Sequence, residues 1–258
     1  MQRSLQVLCT ALLIGSLALV GCSPQEKTPS EDSATGNAPA TTAVVNEFED
    51  YTPRLEGMAK VEMIVLGKSI IIELDGEAAP VTAGNFADLV QMGVYNGLAF
   101  HRVIREPEAF VAQGGDPTSK DESVPVSALG RGGFTDPETG VRRDLPLEIK
   151  LQGEDAPVYG RANLSPTEVV LKHEKGAIAM ARSQAPNSAS AQFYFALADL
   201  GFLDGNYAVF GKVIEGMDVV DGIQMGDRIE SAKLIEGAEN LIKDNSAQDD
   251  AATEDTAE

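Results

Sequence analysis

Two short stretches, FHRVI (residues 100–104) and FVAQGGD (residues 110–116), place polar side chains inside segments that are otherwise apolar and strand-like. His101 and Arg102 lie in the first stretch, and Gln113 precedes a Gly-Gly turn in the second. No phosphate-loop pattern follows the two glycines, and the two histidines of the chain lack the Cys/His spacing of a zinc site. An apolar sheet is thus predicted to carry an imidazole, a guanidinium and an amide close together, with no metal-ligand cluster and no obvious nucleophile.

The surrounding sequence predicts a mainly β fold. MAKVEMIVLGKSIIIELDG (residues 58–76) is typical of two strands joined by a Gly-Lys turn. A helix is predicted from Pro80, because Phe86, Leu89 and Val90 recur at i, i+3 and i+4. Further short strands are predicted near 98–104, 109–113, 176–181, 191–197 and 207–214, and a second helix over 217–225. Many short strands with only two helices favour a closed antiparallel barrel over a doubly wound sheet.

The composition excludes several classes of protein. The chain has 258 residues, is 43% hydrophobic and carries a formal net charge of −20. A nucleic-acid-binding protein needs a basic face to meet a polyanion, so this acidic balance argues against nucleic acid as a partner. The hydrophobic fraction is that of an ordinary globular protein rather than a polytopic membrane protein.

The first 22 residues predict export and lipidation. Residues 1–21 contain one basic residue followed by an apolar run, which is the pattern of a secretory signal peptide. The run ends in LVGC (residues 19–22), which resembles a bacterial lipobox, in which the signal is cut before the cysteine and Cys22 is acylated. The alternative is an ordinary signal peptide followed by a chance cysteine. With Cys9 removed and Cys22 acylated, the mature chain would have no free thiol and no disulfide.

The rest of the chain divides by composition. Residues 22–50 are rich in Ser, Thr, Pro, Ala and acidic residues, and we expect a disordered tether of on the order of 100 Å when stretched. Residues 51–243 are predicted to form the folded domain, and residues 244–258 an acidic disordered tail. Within the domain, residues 117–172 lack clear periodicity, so we expect functional surface or poor order there.

Six blocks of the sequence resemble the cyclophilin-type peptidyl-prolyl isomerases, in the order of that family. The blocks are APVTAGNF (79–86), FHRVI, FVAQGGD, GAIAMAR (176–182), NSASAQFYF (187–195) and FLDGNYAVFGKV (202–213), and the similarity as a whole covers about residues 58–225. The resemblance implies a closed eight-stranded antiparallel barrel capped by two helices. It also implies acceleration of X–Pro isomerisation without a cofactor or a metal.

The physics of the reaction agrees with the residues. Rotation about an X–Pro bond breaks amide resonance over a barrier of about 18–20 kcal/mol, but it breaks no covalent bond. A catalyst must therefore bind the twisted amide better than the planar one. Arg102 is the candidate donor to the prolyl nitrogen, whose lone pair is freed on twisting, because guanidinium presents a rigid fork of N–H groups.

The resemblance also assigns the other site residues. Phe110, Phe193 and Leu203 are expected to form the floor and walls for the proline ring, and Gln113 to bind the substrate carbonyl or to orient Arg102. The expected catalytic residues are therefore Arg102, Phe110, Gln113 and Phe193. The expected substrate-binding residues are His101, Val111, Ala181 (through its backbone), Arg182, Gln192, Phe202, Leu203 and Tyr207.

The sequence departs from the family pattern at three places. REPEA (residues 105–109) is longer than the two residues common in the family, and it could displace Phe110 or add an acidic lip. Phe202 stands where many eukaryotic members carry Trp. Tyr194 and Tyr207 stand where Phe and His are frequent, and the phenol of Tyr194 could narrow the proline pocket.

Two functions of different classes follow. The first is a lipid-anchored isomerase acting on proline-containing polypeptides in the periplasm or at the cell exterior, touching the membrane only through its anchor. The alternative is a non-catalytic chaperone or assembly factor that holds proline segments, which the insertion and the tyrosines favour. Arg102, Phe110, Gln113 and Phe193 favour the enzyme, because a holder does not need the guanidinium. Nothing in the sequence suggests oligomerisation, and we expect a monomer.

Overall fold

A computed structural model describes Phe48 and residues 51–243, which form two α-helices, twelve strands and four short 3₁₀ turns. The helices are α1 (Pro80–Gln91) and α2 (Met217–Gly222). The strands are β1 (Arg54–Leu55), β2 (Met58–Val65), β3 (Lys68–Asp75), β4 (Arg102–Val103), β5 (Val111–Gly114), β6 (Glu148–Ile149), β7 (Val158–Tyr159), β8 (Ala177–Met180), β9 (Phe193–Ala196), β10 (Val209–Glu215), β11 (Ile229–Glu236) and β12 (Leu241–Ile242). The 3₁₀ turns are Pro117–Lys120, Val126–Ala128, Gly201–Leu203 and Ala238–Asn240.

Eight of the strands form one antiparallel sheet in the order β11-β2-β3-β10-β8-β9-β5-β4. The predicted eight-stranded antiparallel fold with two helices is therefore confirmed, but its closure was overstated. The edge strands β11 and β4 do not pair along their length. The segments that precede β4 and β11 are joined instead by one isolated β-bridge between Ala99 and Arg228. Beside this bridge, the N–H of Phe100 donates to the Asp227 carbonyl at 2.8 Å.

The main core lies between the sheet and α1. On β2 and β3, alternate residues are buried, as the side-chain period of two requires for a sheet with one covered face. Helix α1 is buried from Pro80 to Val90, so it runs through the core rather than along the surface. Its Phe86 ring contacts the rings of Tyr95, Phe193 and Phe210 at centroid distances of 4.9–5.4 Å.

Residues 117–172 are built into the domain rather than poorly ordered. Phe134, Leu145, Leu147 and Ile149 are at most 6% exposed. The Glu148 carboxylate, on β6, accepts hydrogen bonds from the backbone N–H groups of Val81 at 3.0 Å and Thr82 at 2.7 Å. Helix α1 has no side-chain cap of its own. Glu148, within residues 117–172, therefore supplies the acceptor for the free N–H groups at the start of this helix.

The remaining predictions differ in small ways. Helix α2 ends at Gly222, three residues earlier than expected, and strand β11, which pairs with Lys60–Val65 of β2, was not predicted from the sequence. Cys22, the predicted signal peptide, the tail over 244–258 and all of the predicted tether except Phe48 lie outside the described residues. Within the described part of the chain, no helix has the length and apolar composition of a membrane span.

Candidate active site

The pleat of β5 and β9 decides which side chains reach the outer face of the sheet. In the register, Gln113 lies opposite Tyr194 and Val111 opposite Ala196, so these side chains share one face. Phe193 points the other way. It is fully buried in the main core, against Phe86 and other aromatic rings, and it cannot touch a peptide on the outer face.

This placement corrects the expectation that Phe193 lines the proline pocket. The side chain that reaches the outer face from β9 is that of its neighbour, Tyr194. A shift of one residue along a strand exchanges the two faces of the sheet. The alternation of Phe193, Tyr194 and Phe195 fits either assignment when read from the sequence alone, because all three are large aromatic residues.

The outer face carries a second apolar cluster, which we call the outer cluster. Half-buried side chains pack over it and form the outer surface that we call the groove. Phe202 lies at the rim, 71% exposed, with its ring stacked on Phe110 at 6.0 Å. The buried members of the outer cluster are Val111, Ala177, Ala179, Tyr194, Ala196, Leu200 and Val209, and the half-buried ones include Phe110, Ala181, Leu203 and Tyr207.

Arg102 and Gln113 lie beside the outer cluster. They are cross-strand partners in the β4–β5 ladder, which brings them to the same face. The Arg102 Nη1 donates to Gln113 Oε1 at 3.2 Å, and the guanidinium carbon lies 5.4 Å from the centre of the Phe110 ring. An oriented guanidinium thus stands over an exposed apolar groove.

The lengthened segment before Phe110, residues 105–109, does not remove the Phe110 ring from the groove. Arg105, its first residue, donates to the backbone carbonyls of Val220 at 3.1 Å and Ile223 at 2.9 Å, at the end of α2. Cations are favoured at the C-terminus of a helix, where carbonyl groups lack partners. The insertion is therefore anchored to α2, and Phe110 keeps its place beside Arg102.

Tyr194 is held from below by two buried polar residues. Its hydroxyl lies 3.0 Å from His173 Nε2, and His173 Nδ1 lies 2.7 Å from Asp204 Oδ1. Burial raises the pKa of Tyr194 well above its usual value. Burial also lowers the pKa of His173, against the opposing effect of Asp204. The phenol therefore stays neutral and forms a fixed floor for the groove.

A chain of side-chain amides runs from Arg102 to a neighbouring loop. Gln113 Nε2 donates to Gln192 Oε1 at 3.1 Å, and Gln192 Nε2 donates to the Gly132 carbonyl at 2.7 Å. The role of this loop, residues 130–132, was not predicted from the sequence. Buried Asp116 fixes it, since its Oδ2 accepts the N–H groups of residues 130, 131 and 132 at 2.6, 3.2 and 3.1 Å.

The pKa of Asp116 reflects these contacts. Burial alone would raise it, but the N–H donors of Thr118 and the 130–132 loop outweigh burial, and the pKa lies below its usual value of 3.8. Asp116 is consequently ionised at neutral pH. Short Asp or Asn turns are recognisable in a sequence, whereas a carboxylate that binds a loop fourteen residues away leaves no such local pattern.

The other predicted residues lie around the groove. His101 is 8% exposed, packs beneath Gly130 and has a pKa lowered by burial. The Ala181 N–H donates to the Gln192 carbonyl at 2.9 Å, so this N–H is not available to a peptide. Arg182 lies over the Tyr207 ring at 4.7 Å. Among the described residues, no group of three or more His, Cys, Asp or Glu side chains could hold a metal ion.

Comparison with known proteins agrees with this architecture. The family model "Cyclophilin type peptidyl-prolyl cis-trans isomerase/CLD" matches residues 60–240. The chain belongs to the cyclophilin family. The cyclophilin match covers the eight-stranded sheet, both helices and every residue of the groove.

Two curated cyclophilins illustrate the relationship. A putative thylakoid lumen peptidyl-prolyl cis-trans isomerase of Synechocystis is 41% identical over 217 residues, which are 79% of this chain and 54% of the relative. A chloroplastic peptidyl-prolyl cis-trans isomerase of Arabidopsis thaliana is 38% identical over 216 residues, which are 75% of this chain and 46% of the relative. The chain thus spans about half the length of these relatives.

A solved cyclophilin structure supports the fold. The crystal structure of a cyclophilin-type peptidyl-prolyl cis-trans isomerase of Cryptosporidium parvum matches with a TM-score of 0.50 and 23% sequence identity. The match covers 69% of this chain and 97% of that structure. The sheet and helices described above are those of a cyclophilin.

Proposed function

We propose that the protein accelerates cis–trans isomerisation of X–Pro bonds in exported polypeptides and so assists their folding. The observation that carries this proposal is the Arg102 guanidinium, oriented by Gln113 at 3.2 Å over the Phe110 ring of an exposed apolar groove. Such a donor stabilises the twisted amide more than the planar one, because only twisting frees the lone pair of the prolyl nitrogen. A surface that merely held proline segments would gain nothing from it.

The proposed roles follow from the geometry of the groove. Phe110 and Leu203 grip the proline ring, with Tyr194 and Val111 as the floor below them. Arg102 donates to the prolyl nitrogen as the amide twists. Gln113 orients the guanidinium through its Oε1, and its Nε2, which donates one N–H to Gln192, has a second N–H that can bind the carbonyl preceding the proline.

The test is an isomerisation assay that compares the unaltered protein with Arg102→Ala. We expect clear acceleration that falls at least about tenfold in the variant, which corresponds to about 1.4 kcal/mol of lost transition-state stabilisation. If both proteins bind proline peptides equally and neither accelerates isomerisation, the chain is the alternative, a holding chaperone. Because Arg102 is exposed, we expect the variant to fold, and a thermal melt checks this.

We further propose that the protein is exported and anchored through an acylated Cys22, with the domain facing the periplasm or cell exterior. The lipobox-like LVGC supports this proposal, and the thylakoid lumen name of one relative supports export. The mass of the mature N-terminal peptide tests it. We expect a chain that begins at an acylated Cys22, and an unmodified Cys22 in the mature protein would refute the anchor.

The proposed partners are proline-containing polypeptides, bound by a monomer. The exposed rim residue Phe202, stacked on Phe110, supports a peptide ligand. Sedimentation of the purified protein tests the monomer. A concentration-dependent dimer would contradict it.

A further inference from the structure

A cavity beside the groove is lined by positively charged side chains, which is unusual for this acidic protein. It measures about 340 Å³ and opens next to Gln113, Gln192 and Ala181. We call it the arginine pocket, because Arg131, Arg142 and Arg182 line it and no carboxylate does. The chain as a whole carries a net charge of −20, so this concentration of positive charge departs from the rest of the molecule.

The three arginines differ in how far their charges are compensated. Arg182 donates from Nε and Nη2 to the Asn206 carbonyl at 2.9 and 2.7 Å, and from Nη1 to the carbonyls of Ser183 and Gln184. These neutral partners fix the guanidinium without neutralising it. Only Arg142 has an anionic partner, in Asp144 at 2.7 Å, and that pair is about 45% exposed on both sides.

Arg131 is the side chain best placed to take a ligand. It is exposed, and within the described residues its guanidinium forms no ion pair or hydrogen bond, although its backbone N–H is held by Asp116. The loop that carries it is fixed, because Asp116 binds three successive N–H groups there. A guanidinium without a partner among the described residues, on a loop whose backbone is fixed, is available to bind an anion.

The nearest buried carboxylate does not cancel this charge. Asp116 lies behind the loop, 1% exposed, and its oxygens are occupied by N–H groups of the backbone. The pocket walls that face solvent therefore present guanidinium groups, serine hydroxyls and amides. A carboxylate side chain is the ligand that this lining suits, and guanidinium binds carboxylate in a bidentate geometry.

The pocket is also within reach of a peptide in the groove. Gln113 and Gln192 line the pocket and belong to the amide chain that begins at Arg102. About three residues of extended peptide span roughly 10 Å, so a side chain near the proline can enter the pocket while the proline ring occupies the groove.

We infer that Arg131, Arg142 and Arg182 make the protein selective for proline segments that carry an acidic side chain within about three residues of the proline. The inference rests on the proposed isomerase function and narrows its substrate class. It makes a negative charge on the peptide favourable, although the net charge of the protein alone would repel it.

The test uses matched X–Pro peptides that carry Glu or Gln at a single position, moved stepwise along both sides of the proline. Affinity is measured by titration calorimetry, and kcat/KM by exchange NMR. At one position we expect Glu to be preferred over Gln by at least about fivefold at low salt, with the ratio approaching one near 1 M salt as charges are screened.

Two variants locate the effect. In the Arg131→Gln/Arg142→Gln double variant, the Glu/Gln ratio should fall towards one. Lys68→Gln removes one positive charge from the exposed first residue of β3, outside the pocket, and should keep the ratio of the unaltered protein. Both substituted arginines are exposed, and Arg131 has no side-chain partner to lose, so a folded protein is expected and is checked by its thermal melt.

Equal affinity for Glu and Gln peptides at every position overturns the inference, and so does a preference that the double variant retains. Absence of turnover with all peptides would count against the proposed function instead. In that case the affinity ratio still tests the pocket, so the two failures are distinguishable.

Discussion

Asp116→Asn tests how the fold holds the site together. The substitution keeps the size of the side chain but replaces one carboxylate oxygen with an NH₂ group. In the protein, Oδ1 accepts the N–H of Thr118 at 2.9 Å, and Oδ2 accepts three N–H groups from residues 130–132. Either orientation of an asparagine amide therefore points a donor at a donor.

The cost can be estimated from these contacts. In the better orientation the amide oxygen faces the 130–132 loop, so the Thr118 N–H loses its acceptor and the loop loses a charged partner. A buried hydrogen bond to a charged group contributes about 1.5–3 kcal/mol, so we expect the free energy of unfolding to fall by about 2–3 kcal/mol. A loosened loop also releases Gln192 and, through Gln113, Arg102, so kcat/KM should fall by about tenfold.

Urea unfolding and the isomerisation assay measure the two effects, with Asp136→Asn as the matched control. Asp136 also accepts two backbone N–H groups, but in an exposed turn, so its substitution should change stability little. The Asp116 pKa is lowered in the folded protein, so its stabilisation is present above the ordinary value of 3.8 and is lost as the pH falls through the lower folded value. The two proteins should thus converge in stability at acidic pH. If Asp116→Asn costs no more than Asp136→Asn at neutral pH, the reasoning is refuted.

Three further substitutions test other parts of the account. Tyr194→Phe leaves His173 Nε2 without its phenol partner and should lower the free energy of unfolding by about 1–3 kcal/mol in urea; an unchanged midpoint would contradict the buried hydrogen bond. Glu148→Ala removes the acceptor at the start of α1 and should cost about 2–4 kcal/mol by the same measurement, and a neutral effect would mean that water replaces the carboxylate. Phe193→Leu should lower the free energy of unfolding by about 1–3 kcal/mol and leave KM unchanged, whereas Phe110→Leu should raise KM. A raised KM in Phe193→Leu and an unchanged KM in Phe110→Leu would mean that Phe193, and not Phe110, contacts the peptide.

Much of the fold follows from local sequence. Strands β2 and β3 were predictable because β-branched residues are frequent on either side of a Gly-Lys turn, and α1 because of its apolar spacing after Pro80. Strand β11 was missed because its four apolar and four polar residues alternate weakly, so its β conformation depends on pairing with β2. The structure of residues 117–172 was hard to predict for a similar reason, since Glu148 finds its hydrogen-bond partners at the start of α1, 66 and 67 residues away.

The site was predictable in type more than in detail. Arg102, Phe110 and Gln113 do come together beside one apolar surface, as their motifs indicate. Phe193 does not, because strand position within a run of aromatic residues fixes the face only once the register is known. The 130–132 loop has no motif of its own, and its place depends on a buried carboxylate contributed by another segment.

The most direct test of the central claim is exchange NMR with Arg102→Lys and an X–Pro peptide. Lysine keeps the positive charge but lacks the planar fork of donors that the mechanism assigns to the twisted amide. We predict that kcat/KM falls at least about tenfold while the peptide dissociation constant changes by no more than about threefold. Full activity in the variant, or loss of binding that accounts for the whole decrease, would contradict the assigned role of Arg102.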